Sequence, residues 1–175
     1  IEFDISKIKL ITIDIETKSE NGFPDVESAS EEILLVTIQD YTTKEIITWG
    51  TKSFNNTHDN VDYRLCNDEH HLLNSFIQWW IENTPDVVTG WNCEFFDIPY
   101  ITGRLNRVLG SKLMKRLSPW GLVTQSDIVV RGRKNFIVDI GGVSVLDYMR
   151  LYKWSPGTPN QAVSYTHLRA HETNQ

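Results

Sequence analysis

The chain has 175 residues, of which 40% are hydrophobic, and it carries a formal net charge of −6 at pH 7. This length and apolar content suffice for one domain with its own core. The acidic balance argues against a nucleic-acid-binding protein that works through a broad basic face, but it leaves open an enzyme that reaches phosphates through bound cations. No apolar run approaches the roughly 18 residues of a membrane span.

An alternating pattern over residues 9–17 predicts the first strand. Every second residue is an isoleucine, and we expect the face that these side chains share to be buried. Asp14 and Glu16 point to the opposite face, with Cα atoms about 6.6 Å apart for a rise of ~3.3 Å per residue. The isoleucines are Ile11, Ile13 and Ile15.

The following segments extend the first strand into a sheet. Residues 18–31 are polar and turn-rich, which indicates a loop. Two further strands are predicted within residues 31–41 and 45–50, so that the first three strands form an antiparallel meander. Residues 67–85 carry apolar side chains at every fourth position, which predicts a helix.

The second half of the chain predicts a parallel crossover. A short buried strand lies within residues 86–92, and a second helix is predicted over residues 97–109. Residues 111–125 look irregular, whereas a hairpin is predicted around Gly132 and a strand running into a helix over residues 141–154. The order of elements predicts a mixed α/β fold, in which an antiparallel three-strand meander joins a parallel strand and is flanked by helices.

The two acids of the first strand allow two interpretations. Carboxylates on one face of a strand could both reach a pair of divalent cations about 3.5–4 Å apart, and a strand holds such ligands more rigidly than a loop does. Alternatively, the strand is amphipathic and shows Asp14 and Glu16 to solvent. The segment taken alone does not separate these interpretations.

A second polar cluster follows the predicted strand within residues 86–92. Asn92 lies just past the strand, and Asp97 lies at the start of the next helix, where an aspartate is a common cap. A carboxylate at this point could also complete a metal site, since ligands of α/β sheets gather beyond the carboxyl ends of the strands.

These segments resemble a known family. "DIET" followed by "GWNCEFFDIPYI" is similar to the first two exonuclease motifs of the 3′→5′ proofreading domain of family B DNA polymerases. "LSP" and "GVSVLDYMRLYK" look most like the tailed-phage replicative branch, and the resemblance covers about residues 9–154. It implies a ribonuclease H-like fold and hydrolysis of the 3′-terminal phosphodiester of single-stranded DNA. It also implies a parent chain with palm, fingers and thumb domains, working in the cytoplasm of a phage-infected bacterial host.

The resemblance assigns a two-metal site residue by residue. Asp14 would bridge two divalent cations, Mg²⁺ or Mn²⁺, which suit ligands that are all oxygen. Glu16 would bind the first cation and help to place the attacking water. Asp97 would hold the second cation, which stabilises the leaving 3′ oxygen.

The resemblance also assigns contacts to the substrate. Asn92 matches a polar residue near the terminal nucleotide, and Phe96 matches an aromatic position before the aspartate. Phe23 stands where phage relatives carry an aromatic side chain that wedges against the frayed bases, and stacking of this kind tolerates any base. Alternatively, Phe23 is a hydrophobic plug that pins its own loop.

The third motif of the family is missing from this sequence. That motif is a tyrosine followed four residues later by an aspartate, and no tyrosine here has an aspartate at that spacing. Asp147 falls within the resembling segment, but we interpret it as structural, a cap for the helix at Tyr148. We therefore expect the chain to hold three of the four metal-binding carboxylates and to have little or no nuclease activity alone.

The last residues resemble something other than protein. "VSYTHLRAHET", residues 163–173, matches the in-frame translation of the end of a widely used transposon-based sequencing adapter. We expect residues 1–161 to be the exonuclease domain, incomplete at both ends, and residues 162–175 to be a non-native tail. The alternative is a natural tail that contains histidine and arginine.

Two other functions stay open at this point. The chain could belong to a standalone four-carboxylate exonuclease that trims DNA or RNA, and the sequence after Gln161 would distinguish this from a polymerase. It could also be a non-catalytic scaffold that binds single strands with the same fold. The presence of Asp14, Glu16 and Asp97 together argues against the scaffold.

Overall fold

The computed structural model describes residues 4–20, 22–130 and 132–154. The predicted non-native tail, residues 162–175, lies outside the described residues. None of the described helices is long and apolar enough to cross a membrane.

In the part of the chain that the structure describes, eight strands form two sheets. The strands are β1 (Leu10–Thr17), β2 (Ile33–Asp40), β3 (Ile46–Gly50), β4 (Val61–Leu65), β5 (Val87–Gly90), β6 (Val123–Val130), β7 (Arg133–Ile140) and β8 (Ser144–Asp147). Six of them form one mixed sheet in the order β4-β3-β2-β1-β5-β8, and β6 and β7 form a separate hairpin.

The antiparallel meander and the parallel crossover that the sequence predicts are both confirmed. β1 pairs antiparallel with β2, and β2 pairs antiparallel with β3. On its other side β1 pairs in parallel with β5, from Leu10 opposite Val87 to Thr12 opposite Thr89. β5 in turn pairs in parallel with β8. This mixed sheet, flanked by helices, agrees with the predicted ribonuclease H-like fold.

Within the described residues, four α-helices accompany the sheets. They are α1 (Glu69–Glu82), α2 (Asp97–Leu109), α3 (Ser111–Met114) and α4 (Tyr148–Trp154). α1 begins after Asp68, whose carboxylate accepts a hydrogen bond of 2.8 Å from the backbone N–H of His71, as an N-cap does. α2 has the predicted bounds, and Gly110 beyond it has a φ of 86°, a conformation that favours glycine.

The core lies between the mixed sheet and the first two helices. α1 packs against β2 and β3, and α2 packs against β1 and β7. The predicted buried face of β1 is confirmed, since its three isoleucines are at most 5% exposed. Trp80 of α1 is fully buried and donates its indole N–H to the carbonyl oxygen of Leu117 at 2.8 Å. This bond ties the segment after α3 to the core.

Two parts of the chain differ from the sequence prediction. The pattern does not predict β4, which pairs in parallel with β3 at the edge of the sheet. Its side chains are half-buried or exposed, so the strand has no continuous apolar face from which the sequence could predict it. Residues 111–125, which look irregular, contain α3, a 3-10 turn at Lys115–Leu117 and the start of β6. The two helical elements have four and three residues, too few for helical periodicity.

Candidate active site

The two acids of β1 lie on the face predicted for them. Asp14 and Glu16 are exposed, while Ile15 between them packs into the core. Asp14 keeps access to solvent on one side, yet the protein around it removes enough water to raise the pKa of its carboxyl above the ordinary value. The carboxyl end of β1 is therefore a place where a negative charge is poorly solvated.

Asp97 is brought to the same place by the start of α2. Its side chain is 3% exposed, and its Oδ1 accepts a hydrogen bond of 3.0 Å from the backbone N–H of Ile15. The pairing of β1 with β5 ends at Thr12, so this N–H lies beyond the part of β1 that pairs with β5 and needs another acceptor on that side. From standard backbone dimensions, the bonded oxygen of Asp97 lies within about 6 Å of the Cα of Asp14.

Among the residues that the structure describes, no cationic side chain pairs with the Asp97 carboxyl. Burial, and then the charge of Asp14, raise its pKa to about 7, although the bond from Ile15 lowers it. Ion pairs form elsewhere among residues 4–20, 22–130 and 132–154, and none of them includes Asp14 or Asp97. A cation placed between these two carboxylates would stabilise the ionised pair.

Divalent cations fit the chemistry of this donor set. Asp14, Glu16 and Asp97 offer only carboxylate oxygens, the ligands that Mg²⁺ and Mn²⁺ prefer. Across the described residues, no three His, Cys, Asp or Glu side chains already converge as a metal cluster. Binding of cations would therefore require the carboxylates to turn toward one another, which the buried and uncompensated Asp97 would favour.

The loop from β5 to α2 carries the predicted substrate residues. It leaves the sheet at Gly90, where a Cβ atom would lie 2.7 Å from the carbonyl oxygen of Ile13, so that only glycine allows β5 this close to β1. Asn92 follows with a φ of 62°. This left-handed conformation is uncommon outside glycine, and asparagine tolerates it better than most residues. Phe96 directly precedes α2 and Asp97.

Three aromatic rings form a row beside Asp97. The ring centroids of Phe23 and Phe96 are 5.2 Å apart, and those of Phe96 and Tyr100 are 5.5 Å apart. Tyr100 is fully buried, whereas Phe23 is 74% exposed, so the row runs from the core to the surface. This exposure favours the wedge interpretation of Phe23 over the plug, because the ring offers a free area on which a base can stack. Its contact with DNA stays a prediction.

The loop of residues 18–32, which carries Phe23, is bonded to a buried arginine of α2 that also forms an ion pair with α1. Arg104 of α2 pairs with Glu69 of α1, and both side chains are less than a tenth exposed. The same guanidinium donates to the carbonyl oxygens of Ala29 and Ser30 at 3.0 and 3.1 Å. The end of the loop is therefore held against the middle of α2.

Two residues at the junction of β8 and α4 lie near the site, although the sequence assigns them no role there. Asp147 accepts a hydrogen bond of 2.9 Å from the N–H of Met149, which confirms the predicted helix cap, and it also bonds the loop of Asn92. Burial, and then the charges of Asp14 and Asp147, raise the pKa of the Tyr148 hydroxyl. That hydroxyl therefore lies close enough to the acidic cluster, formed by Asp14, Glu16 and Asp97, for charges of the cluster to affect it. The one sequence signal for both residues is the resembling segment "GVSVLDYMRLYK".

Comparison with known proteins places this chain in a family. Residues 2–166 match the family described as DNA polymerase family B, exonuclease domain. The DNA-directed DNA polymerase of Escherichia phage RB69 is 28% identical, over 99% of this chain and 22% of the relative. The DNA-directed DNA polymerase of Enterobacteria phage T4 is 38% identical, over 67% of this chain and 13% of the relative. A DNA polymerase of Thermococcus litoralis is 30% identical, over 62% of this chain and 6% of the relative.

The chain spans less than a quarter of the length of each of these relatives. Within that span, both motifs that the sequence analysis singles out lie inside the matched residues. The match covers nearly the whole chain, and the mixed sheet agrees with it. The chain therefore belongs to the exonuclease domain family of the family B DNA polymerases.

Proposed function

We propose that this chain is the 3′→5′ proofreading exonuclease domain of a DNA-dependent DNA polymerase. It would hydrolyse the 3′-terminal phosphodiester of a single-stranded DNA end with two divalent cations, Mg²⁺ or Mn²⁺, held by Asp14, Glu16 and Asp97. The observation that carries the proposal is the hydrogen bond from the Ile15 N–H to Asp97, which joins the acids of two distant motifs. A membership of the polymerase family supports the choice of DNA as the substrate.

Each residue of the site would have a separate role in the hydrolysis. When bound, the divalent cations supply a nucleophile at neutral pH and offset the charge that builds on the phosphate. Asp14 would be shared by both cations. Glu16, at the more exposed end of β1, can orient a water molecule. Asp97 begins a helix that is packed into the core, so its backbone keeps a fixed position from which the carboxylate can turn toward Asp14.

The aromatic row and the β5–α2 loop would bind the DNA end. An exposed ring at Phe23 can stack on the terminal bases, which contributes about 1–3 kcal/mol per base without selecting a sequence. Proofreading needs this tolerance, because any mispaired base must be accepted. Asn92 and Phe96 would contact the terminal nucleotide next to Asp97.

We further propose that residues 1–161 make up the exonuclease domain and that residues 162–175 are a non-native tail. The palm, fingers and thumb domains of a parent polymerase would be its partners, and the cytoplasm of a phage-infected bacterium its location. Since the third motif is missing, the chain alone would have little or no nuclease activity.

Two nuclease assays on single-stranded DNA with Mg²⁺ test these proposals. A longer polypeptide from the same source reading frame should shorten the DNA from its 3′ end, and Asp14→Ala should abolish this activity. Failure of that polypeptide to degrade DNA would favour the non-catalytic scaffold. The 175-residue chain should show no turnover. Turnover by this chain that Asp14→Ala abolishes would show the inactivity proposal to be wrong.

A further inference from the structure

Asp147 is a charged residue that the fold buries at the end of β8. It is 4% exposed, and β8 places it directly beside Gly90, the last residue of β5. Burial of a carboxylate is costly unless hydrogen bonds replace its water. The hydrogen bonds that Asp147 accepts therefore indicate which segments of the chain it stabilises.

Backbone N–H groups from two segments meet the Asp147 carboxylate. Its Oδ1 accepts bonds from Met149 at 2.9 Å and from Asn92 at 3.0 Å, and its Oδ2 accepts a longer bond from Glu94 at 3.4 Å. The bond from Met149 caps α4, as caps commonly do. The bonds from Asn92 and Glu94 reach another part of the chain, 55 and 53 residues away, and a helix cap alone does not need them.

The bond to Asn92 falls on a backbone that needs support. Asn92 has a φ of 62°, a left-handed conformation that a residue with a side chain enters only at some cost in free energy. Its N–H points at a buried carboxylate, and a hydrogen bond to an ionised group is stronger than one between neutral groups. Asp147 thus supports Asn92 in this left-handed conformation.

A second contact joins the same two segments but contributes less. Arg150 of α4 donates to both carboxylate oxygens of Glu94 at 2.9 and 2.6 Å. The Arg150 side chain is 63% exposed, and an ion pair that solvent reaches contributes little. Of these two contacts, the one that Asp147 makes is therefore the stronger.

We propose that Asp147 is a positioning residue of the nuclease site. It sets the conformation of Asn92, and through it the contact of the β5–α2 loop with the terminal nucleotide. This inference rests on the substrate role proposed above for Asn92. If Asp147 were purely structural, its role would be limited to capping α4.

The experiment compares Asp147→Ala with a matched cap variant in the 175-residue chain. Asp68→Ala removes a carboxylate that accepts the same kind of backbone bond at the start of α1, away from the acidic cluster. Binding of a short 5′-fluorescein-labelled oligothymidylate is measured by anisotropy in Ca²⁺, and the amide resonances are followed by ¹H–¹⁵N NMR. Asp147→Asn keeps an acceptor oxygen and is the conservative rescue.

We expect Asp147→Ala to weaken oligonucleotide binding about tenfold, the size of one lost charged hydrogen bond. Asp68→Ala should leave the affinity unchanged, and Asp147→Asn should recover most of it. The amides of Asn92 and Glu94 should shift upfield in Asp147→Ala. The double variant Asn92→Ala with Asp147→Ala should bind no more weakly than Asn92→Ala, because both changes act on one contact.

Two results would overturn the inference. One is an affinity for Asp147→Ala that matches that of Asp68→Ala, and the other is an absence of amide shifts at Asn92 and Glu94. A wild-type chain that fails to bind the oligonucleotide, or an Asn92→Ala variant that binds like wild type, would contradict the proposed function instead. The amide shifts alone would then decide whether Asp147 holds the loop. If Asp147→Ala does not fold, Asp147→Ser provides the comparison, because its hydroxyl can still cap α4 but it lacks the second oxygen that the carboxylate offers to the loop.

Discussion

Replacing Asp97 by asparagine should stabilise the chain at alkaline pH when no divalent cation is present. Asparagine has nearly the same shape and keeps an oxygen that can accept the hydrogen bond from Ile15. It removes the negative charge that burial and Asp14 disfavour. The substitution would therefore remove a proposed ligand and still increase the free energy of unfolding.

The size of this effect follows from the pKa of Asp97. The folded chain raises it from 3.8 to about 7, and each pH unit corresponds to 1.36 kcal/mol, so keeping Asp97 ionised in the folded state costs about 4 kcal/mol. Below about pH 4 the carboxyl is protonated in both states, and no cost arises. Between about pH 4 and 7 the unfolded chain ionises first, so stability falls as the pH rises. Above about pH 7 the cost is complete.

Urea unfolding followed by circular dichroism at pH 5 and pH 8, with EDTA present, measures this difference. Asp97→Asn should exceed wild type by up to about 4 kcal/mol at pH 8 and by less at pH 5. Mg²⁺ should stabilise wild type at pH 8 and stabilise the variant less. Asp68→Asn, the same exchange at an exposed helix cap, should stay within about 0.5 kcal/mol of wild type. If Asp97→Asn were no more stable than wild type at pH 8, the conclusion that Asp97 carries an uncompensated charge would be refuted.

Two further substitutions distinguish the structural role of Arg104, which bonds the end of the 18–32 loop, from the proposed binding role of Phe23 in that loop. Arg104→Ala leaves the Glu69 carboxylate buried without its partner, so it should lower the free energy of unfolding by about 3–5 kcal/mol in the same urea assay. A loss below about 1 kcal/mol would show that the pair is not buried in solution. Phe23→Ala should change the stability by less than about 0.5 kcal/mol, since the ring is 74% exposed, while anisotropy should show weaker binding of single-stranded oligonucleotides. A loss of stability with unchanged affinity would instead identify Phe23 as a plug.

Local patterns in the sequence carry enough information to place the acids. The alternation of isoleucines assigns Asp14 and Glu16 to the exposed face of β1, and the start of α2 at Asp97 follows from its apolar spacing. Both depend on neighbours within a few residues. Short-range periodicity records such neighbours directly.

The rest of the site depends on contacts between distant parts of the chain. The bond between Asp147 and Asn92 exists because β5 and β8 align, and no local pattern fixes that alignment. The ion pair of Arg104 with Glu69 spans 35 residues in the same way. The pKa of Asp97 depends on burial and on Asp14 together, so it too requires the fold.

Titration of the ¹⁵N-labelled chain with Mn²⁺ tests most directly whether the three acids bind a divalent cation. Paramagnetic broadening should appear first at the amides of residues 14–16 and of residue 97 and its neighbours. It should require a higher Mn²⁺ concentration in Asp14→Asn and in Asp97→Asn. Broadening that begins on other acidic parts of the surface, or that is the same in both variants as in wild type, would contradict a metal site at these residues.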